Sequence, residues 1–278
     1  MERSFSLQAR FEVLGTLGRG ARGAVLRVRD RARDEEVALK VLTDPSLVLR
    51  NRFPTLAAVR HPAIVALHDW FDDVPGFTMA IAPGLPILRA LDGGESLHVE
   101  AGPMRLVLGQ RVESPRFRSP DAVMLARIGR AFGDVAAGLQ CLHDAHFVHG
   151  DVRPENVMVR EDGAAILIDV DGARPAGTPG DGLVATTWAA PELDGGSFTP
   201  AADVYALGTV LFQALTGDVP FGGSAHDVVL RKGTVRAPSP SFLVRGIPSA
   251  LDDLCAKMLE RAPARRATLS EVRDVLGG

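Results

Sequence analysis

The segment VHGDVRPENV at residues 148–157 constrains the chain more than any other part of the sequence. Asp151 is followed five positions later by Asn156, and an apolar run at 166–168 ends at a second carboxylate, Asp169. Such a set can orient a hydroxyl and hold Mg²⁺ against the phosphates of a nucleotide. Each residue alone would also fit a turn or a solvated strand end. Together they predict phosphoryl-transfer chemistry on a loop beside a short strand.

A glycine-rich segment near the start of the chain, LGRGARGAV at residues 17–25, indicates a turn between two strands. Three glycines with this spacing also occur in dinucleotide-binding folds, but there a helix begins at the third glycine. Here residues 24–29 alternate as a strand does. The glycines therefore join two strands, and their missing side chains would let the backbone close over phosphates.

Four further motifs follow in order: VALK at 37–40, APE at 190–192, DVYALG at 203–208, and Arg266. With the two segments above, they resemble the glycine-rich loop, V-A-I-K strand, catalytic loop and D-F-G segment of the protein kinases. The resemblance covers nearly the whole chain and is to bacterial-type serine/threonine kinase catalytic domains. It implies an α+β, two-lobed protein-kinase-like fold, with a small antiparallel β N-lobe and a larger, mostly helical C-lobe.

Composition is that of an ordinary globular protein. The 278 residues are 46% hydrophobic and 23% charged, which allows a large core and two lobes. The net charge of −3 gives no excess of positive charge of the kind that binds nucleic acid. Cys141 and Cys255 lie in helix-like stretches and are expected to be buried free thiols. With no apolar segment typical of a signal peptide or membrane span, the expected compartment is the cytoplasm.

Hydrophobic spacing predicts the order of elements along the chain. Three antiparallel strands are expected between Phe11 and Leu42, then a helix over 45–60 interrupted by Pro54, then two strands. Helices are expected later in the chain, the first started by Ser119-Pro120 and the second ended by Gly217. The two strands after the first helix are expected at 61–65 and 77–81, and the later helices at 121–143, 201–215, 251–259 and 269–276.

The chain is expected to divide at Pro83-Gly84, which gives an N-lobe at 1–83 and a C-lobe at 84–278 within one kinase domain. Residues 85–118 are longer than the one short helix expected there, and they contain strand-like stretches at 96–99 and 105–108. Residues 85–118 are therefore expected to contain an insertion, which is either a surface hairpin or a docking element.

The resemblance implies which residues bind the cofactors, ATP and Mg²⁺. Val25 and Ala38 would pack against adenine, Lys40 would contact the α- and β-phosphates, and Asn156 and Asp169 would hold metal ions. The full nucleotide-binding set is Leu17, Gly18, Gly20, Gly23, Val25, Ala38, Lys40, Asn156 and Asp169.

Catalytic roles are implied for Asp151, Lys40 and Arg153. Asp151 would accept a hydrogen bond from the hydroxyl of a protein substrate. Arg153 stands where a lysine usually contacts the γ-phosphate, so it keeps the charge but not the compact shape. Structural roles are implied for an ion pair of Glu192 with Arg266, and for Asp203, which would hold the backbone of the catalytic loop.

Some positions depart from the family pattern. The glutamate that usually pairs with the lysine of the V-A-I-K strand falls at Arg52, and no acid occurs from Pro45 through His68. Asp171 replaces the glycine of D-F-G, and Gly150 replaces an arginine that commonly binds a phosphorylated activation segment. We therefore expect Lys40 to pair with Asp169 or Asp171, and Arg52 to point to solvent.

Three functions remain open at this point. The first is a serine/threonine protein kinase, favoured by the presence of Lys40, Asp151, Asn156 and Asp169. The second is an ATP-binding or inactive pseudokinase that acts as a regulatory scaffold. The third is a small-molecule phosphotransferase, because His149-Gly150-Asp151 also resembles the H-G-D loop of aminoglycoside and choline kinases.

Overall fold

The structure is a computed structural model, and it describes residues 9–20, 22–43, 47–73, 75–92, 119–180 and 187–277. The chain forms two compact units, Met1–Pro83 and Gly84–Gly278. The first is built on an antiparallel sheet and the second is mostly helical, so the predicted α+β class is confirmed. None of the helices within these ranges is long and apolar enough to cross a membrane.

The first unit is a five-stranded antiparallel sheet in the order β1-β2-β3-β5-β4. The three strands predicted between Phe11 and Leu42 are confirmed. They form two successive hairpins, because β1 pairs with β2 and β2 pairs with β3. The strands are β1 (Phe11–Gly20), β2 (Gly23–Asp30), β3 (Glu35–Leu42), β4 (Leu67–Phe71) and β5 (Gly76–Met79).

The strand predicted at 61–65 is wrong, because the chain turns there and the strand begins at Leu67. The backbone N–H of Ala63 donates to His61 Nδ1 at 3.1 Å, and that of Ile64 donates to the His61 carbonyl at 3.0 Å. Pro62 has no N–H to give to a sheet. The apolar residues here pack into the core from a turn, so burial rather than strand pairing explains their hydrophobicity.

Helix α1 (Leu47–Ala58) runs through Pro54 without interruption, contrary to the prediction. Pro54 is exposed, and its missing N–H leaves only the carbonyl of Arg50 without a helical donor. The preceding residue, Phe53, is buried and packs against Trp70 and Phe77, with ring centroids 5.3 Å apart in both pairs. Burial of this face offsets the loss of one hydrogen bond.

The second unit is built around two long helices. In α3 (Ala122–Asp144) the N-cap is Asp121, which accepts a hydrogen bond from the Met124 backbone N–H at 2.7 Å. Ser119-Pro120 therefore precedes the helix start instead of forming it. Almost every residue of α4 (Pro200–Thr216) is buried, and the helix ends at Gly217 in the left-handed conformation, as predicted. Helix α3 packs on the last described helix and on two short strands, one before the catalytic-loop motif and one before Asp169.

The remaining elements of this unit are short. The strands form two small sheets, in the orders β6-β8-β9 and β10-β7. Of the expected insertion at 85–118, residues 85–92 are described and include one short helix, whereas the strand-like stretches at 96–99 and 105–108 lie outside the described residues. The elements are β6 (Leu85–Pro86), α2 (Ile87–Leu91), β7 (Phe147–Val148), β8 (Val157–Val159), β9 (Ala165–Leu167), β10 (Arg174–Pro175), α5 (Ala225–Thr234), α6 (Pro240–Leu243), α7 (Ser249–Met258) and α8 (Leu269–Leu276).

Candidate active site

Asp151 and Asn156 are hydrogen-bonded neighbours in the loop that follows β7. The amide nitrogen Nδ2 of Asn156 donates to the Asp151 carbonyl at 2.8 Å and lies 3.2 Å from the carboxylate oxygen Oδ2 of the same residue. A 3₁₀ turn at Pro154–Asn156 folds the chain back so that the two side chains meet. The sequence predicted both residues, and the structure brings them together.

The buried carboxylate of Asp203, on α4, holds the backbone of this loop. It accepts hydrogen bonds from the backbone N–H groups of His149 and Gly150, both at 2.8 Å, and lies 2.8 Å from His143 Nε2. The predicted role of Asp203 is confirmed. Charge-assisted bonds of this kind fix the loop against a rigid helix, which keeps Asp151 in one orientation.

Asp169 lies two residues beyond the end of β9, and the residue before it is hydrogen-bonded to Asn156. The Ile168 N–H donates to the Asn156 carbonyl at 2.9 Å, and the Ile168 carbonyl lies 3.0 Å from His149 Nε2. Asp169 itself adopts the left-handed conformation with φ of 64°, which costs about 1–3 kcal/mol for a residue other than glycine. The chain thus leaves the strand at a sharp turn just where the second predicted carboxylate stands.

The donor chemistry of Asn156 and Asp169 fits Mg²⁺, which prefers oxygen ligands and retains several waters. Both Nδ2 hydrogen bonds of Asn156 go to Asp151, and within the described residues its oxygen Oδ1 has no hydrogen-bond donor. No group of three or more His, Cys, Asp or Glu side chains suited to a metal occurs within those residues. An ion here would need ligands from water and from a bound phosphate, as Mg²⁺ at a nucleotide does.

Arg153 is fixed by two contacts. Its Nε donates to Glu155 at 2.7 Å, and its guanidinium carbon lies 5.0 Å from the ring centre of Trp188. Partial burial works against its charge, but the hydrogen bond to Glu155 and the nearby carboxylates of Asp151 and Asp169 raise the pKa of Arg153. The guanidinium therefore stays charged near the predicted catalytic carboxylate of Asp151 and the predicted metal ligand Asp169.

Gly150 has the left-handed φ of 73° and faces the ring of Phe198. The guanidinium of Arg174, on β10, lies 4.5 Å from the centre of the same ring. An aromatic ring therefore occupies the space beside the backbone position where the kinase pattern has an arginine.

The predicted ion pair of Glu192 and Arg266 is confirmed. Two parallel hydrogen bonds of 2.6 Å join Arg266 Nη1 and Nη2 to the two carboxylate oxygens, and the Arg266 side chain is only 1% exposed. The guanidinium also stacks on Tyr205, 4.9 Å from the ring centre. This bidentate pair ties the APE motif at 190–192 to the short segment that precedes α8.

The predicted phosphate loop is the hairpin between β1 and β2. A Cβ on Gly23, which has φ of 141°, would overlap the Val41 carbonyl oxygen, so the sheet itself requires this glycine. By contrast, a Cβ on Gly18 or Gly20 would meet nothing within 4 Å. Packing within the protein therefore does not require glycine at positions 18 and 20. A phosphate bound close to the backbone would require it, because a side chain would block its approach.

The other predicted nucleotide-binding residues of the first unit lie on neighbouring strands of the same sheet. Val25 on β2 is directly opposite Lys40 on β3, and both Lys40 and Ala38 are buried. Leu17 on β1 is half exposed. Their placement on one sheet agrees with the order of the motifs, and their roles toward a nucleotide stay predictions.

Helix α1 carries Arg52 where the family pattern has a glutamate. The expectation that Arg52 points to solvent is wrong, since the side chain is half buried and its Nε is shielded from solvent. The carboxylates of Glu35 and Glu36 lie near Arg33 and Arg27, respectively. Pairing of Lys40 with Asp169 or Asp171 stays a prediction.

Comparison with known sequences agrees with this arrangement. The sequence profile described as the protein kinase domain matches residues 11–275. The chain is 30% identical to the serine/threonine-protein kinase PknL of Mycobacterium tuberculosis, over 94% of this chain and 63% of the relative. It is 31% identical to the serine/threonine-protein kinase PkaB of Streptomyces coelicolor, over 95% of this chain and 61% of the relative.

A two-lobe α+β architecture with a loop Asp, a following Asn and a strand-end Asp defines the kinase class, and this chain belongs to the protein kinase domain family. The serine/threonine-protein kinase PknB of Mycobacterium bovis is 30% identical over 96% of the chain, which covers 42% of that relative. The chain therefore spans less than two thirds of the length of the curated relatives named here.

Sequence reasoning missed three residues beside the site. Trp188 stacks on Arg153, His143 joins Asp203, and Phe198 lies against Gly150. Each lies far along the chain from its partner, so spacing gave no signal. Only the glycine at 150 offered a hint, since a glycine is favoured wherever φ is positive.

Proposed function

We propose that this domain is a serine/threonine protein kinase that transfers the γ-phosphate of ATP to a protein hydroxyl. The observation that carries the proposal is the hydrogen-bonded pair of Asp151 and Asn156, anchored through Asp203 and set directly beside Asp169. Phosphoryl transfer needs positioning and charge stabilisation more than covalent chemistry, and this group supplies both.

Each residue has a defined part in the proposed reaction. Asp151 accepts a hydrogen bond from the attacking hydroxyl and orients it. Asn156 and Asp169 would hold Mg²⁺, which supplies electrostatic stabilisation of the transferring group when bound. Arg153, which is charged and held over Trp188, faces the same region and interacts with the phosphate. Gly18 and Gly20 leave their backbone open to the other phosphates, and Lys40 contacts them.

The experiment is transfer of label from γ-labelled ATP to myelin basic protein in the presence of Mg²⁺. Wild type should label serine or threonine, and Asp151→Asn should not, although it should still bind nucleotide. A matched control is Asp162→Asn, since Asp162 is an exposed acid in the turn between β8 and β9. Labelling that is equal in Asp151→Asn and wild type would refute the proposal.

A scaffold function without transfer is the second candidate, favoured by the lack of any acid in α1, the helix that usually supplies a partner for the lysine. On this alternative, ATP and Mg²⁺ would raise the Tm of the protein while no label reached a protein substrate. Transfer only to small hydroxyl compounds would instead support a small-molecule phosphotransferase. The confirmed pair of Glu192 and Arg266 supports the protein-substrate reading by resemblance.

The proposed partner is a protein substrate, and no nucleic-acid partner is proposed because the net charge is −3. We place the domain in the cytoplasm. Support comes from Cys141 and Cys255, which are free thiols, as is usual in a reducing compartment. Cys255 is buried as expected, whereas Cys141 is only half buried.

A further inference from the structure

Lys232 on α5 is a buried cation that none of the kinase motifs accounts for. The residue is only 3% exposed, and its Nζ donates a 2.6 Å hydrogen bond to the carbonyl of Ala189. The same Nζ lies 5.6 Å from the ring centre of Tyr205 on α4. Burying a lysine costs free energy. A lysine in the core is therefore expected to use its N–H donors in a specific hydrogen bond.

The surroundings of Lys232 hold it in one place. Tyr205 has Lys232 and Arg266 over its ring, and Arg266 is bound in turn by Glu192. Burial lowers the pKa of Lys232 to about 7, opposed by the charge of Glu192. Both the protonated and the neutral amine carry N–H donors, so the hydrogen bond to Ala189 does not depend on which form is present.

Ala189 connects Lys232 to the catalytic loop. The preceding residue, Trp188, donates from its indole Nε1 to Gln213 Oε1 on α4 at 3.3 Å. The ring of Trp188 is the surface on which Arg153 stacks. Lys232 therefore fixes the backbone next to Trp188, and Trp188 fixes the guanidinium beside Asp151.

We propose that Lys232 is a positioning residue for Arg153, acting through the Ala189 carbonyl and the Trp188 ring. As a statement about catalysis, this rests on the proposed kinase function. Loss of the Nζ donor removes the hydrogen bond to the Ala189 carbonyl and lets the Trp188 segment shift, which moves the cation at the phosphate. Displacements of an ångström at a catalytic group are enough to slow transfer.

The kinetic test compares Lys232→Met with Arg231→Met. Methionine keeps an unbranched side chain of similar length without the donor, and Arg231 is the exposed neighbour on the same helix, so the comparison separates loss of the buried donor from replacement of a basic residue by methionine. With myelin basic protein as substrate, Lys232→Met should lower kcat roughly tenfold. The KM for ATP should change by less than about twofold, since Lys232 acts through Arg153 and not on the glycine-rich loop.

A spectroscopic test does not depend on activity. The chain has two tryptophans, so Trp70→Phe leaves Trp188 as the sole reporter. In that background Lys232→Met should shift the emission of Trp188, and Arg231→Met should not. Circular dichroism of each variant confirms that the fold is kept.

The outcomes separate the two proposals. Unchanged Trp188 emission in a folded Lys232→Met variant overturns the positioning role, as does a kcat within about twofold of the Arg231→Met value. If wild type transfers no phosphate at all, the proposed function fails, and the emission comparison then decides whether Lys232 positions Trp188.

Discussion

Gly150 and Phe198 are in direct contact: a Cβ built on Gly150 would lie 2.8 Å from Cε1 of the Phe198 ring. Together with φ of 73° at Gly150, this contact disfavours any side chain at the position. The guanidinium of Arg174 lies over the same ring, so a cation stands near the catalytic loop although position 150 carries none. The structure thus gives a steric reason for the glycine.

The first prediction concerns phosphorylation of the activation segment. Because Gly150 offers no charge partner, activity should not depend on phosphate at Thr178, Thr186 or Thr187. Thr178 already donates its hydroxyl to the Pro175 carbonyl at 2.6 Å, and Thr186 lies outside the described residues. Phosphatase treatment followed by a kinase assay is the measurement. A large loss of activity, with mass spectrometry placing the lost phosphate in this segment, would instead implicate a basic residue such as Arg174.

The second prediction separates catalysis from binding at Asp151. Asp151→Asn keeps the size of the side chain and its contact with Asn156 but removes the carboxylate, so kcat should fall by about two orders of magnitude or more. The Kd for ATP with Mg²⁺ should stay nearly unchanged, because the residue acts mainly in the transition state. Isothermal titration and steady-state rates measured on the same preparation would check both parts. A matching loss of ATP affinity would argue against the assigned role.

The third prediction concerns the metal-binding role of Asp169. Asp169→Ala should abolish the Mg²⁺-dependent rise in Tm that ATP produces in wild type, because the ligand no longer favours the folded state. Asp162→Ala is the control, since Asp162 is an exposed acid of the same strand-turn-strand segment. Differential scanning fluorimetry with and without Mg²⁺ gives the comparison. A shift that persists in Asp169→Ala would mean that nucleotide binds without this carboxylate.

The fourth prediction distinguishes two glycines of the phosphate loop. Gly23→Ala should destabilise the first unit by roughly 1–3 kcal/mol, because its Cβ would overlap the Val41 carbonyl oxygen. Gly18→Ala should leave the free energy of unfolding almost unchanged, yet weaken ATP binding if phosphate approaches the backbone there. Urea denaturation and ATP titration of both variants test this contrast. Equal ATP affinity in Gly18→Ala and wild type would remove the loop from the proposed site.

The fifth prediction concerns pH. Burial lowers the pKa of Lys232 to about 7, so between that value and the ordinary lysine pKa the unfolded chain binds more protons than the folded one. Stability should therefore rise with pH from about 7 to about 8.5, by at most about 1.4 kcal/mol per pH unit. Above about 8.5 the rise should level off, because burial raises the pKa of Cys255 and the unfolded chain then loses a thiol proton that the folded chain keeps. Above about 10 stability should fall, because burial also raises the pKa of Tyr205 and the contribution of Lys232 has ended.

Urea unfolding across that pH interval tests the prediction. The charged neighbours of Lys232, Glu192 and Arg266, are paired with each other, so Lys232→Met should flatten the rise without disturbing them. Wild type and Lys232→Met with the same dependence on pH would show that Lys232 does not titrate in this range.

Motif residues were predictable from the sequence because their spacing reflects local backbone geometry. The loop from His149 to Asn156 and the carboxylate after β9 are close in the chain, and the roles of Asp203 and Glu192 followed from resemblance. Predictions failed where tertiary packing overrode a local rule. Buried aromatic contacts keep α1 helical through Pro54, and residues 61–65 are apolar because they fill the core from a turn.

Contacts between distant parts of the chain could not be predicted from the sequence pattern. Trp188 and Arg153 meet through the fold, as do Lys232 and Ala189. From the sequence alone, a lysine on a helix is expected to be exposed to solvent. Only the structure shows that Lys232 is buried. Such contacts are set by how the helices of the second unit pack.

The pair of Glu192 and Arg266 spans 74 positions of the chain. A ribosome makes the protein from the N-terminus, so the carboxylate emerges well before the guanidinium that neutralises it. Until then Glu192 stays hydrated and Tyr205 lacks one of the cations over its ring. The segment that contains Glu192 therefore reaches its final support late in synthesis, and a nascent chain stopped before Arg266 carries every catalytic motif without the ion pair that holds this segment.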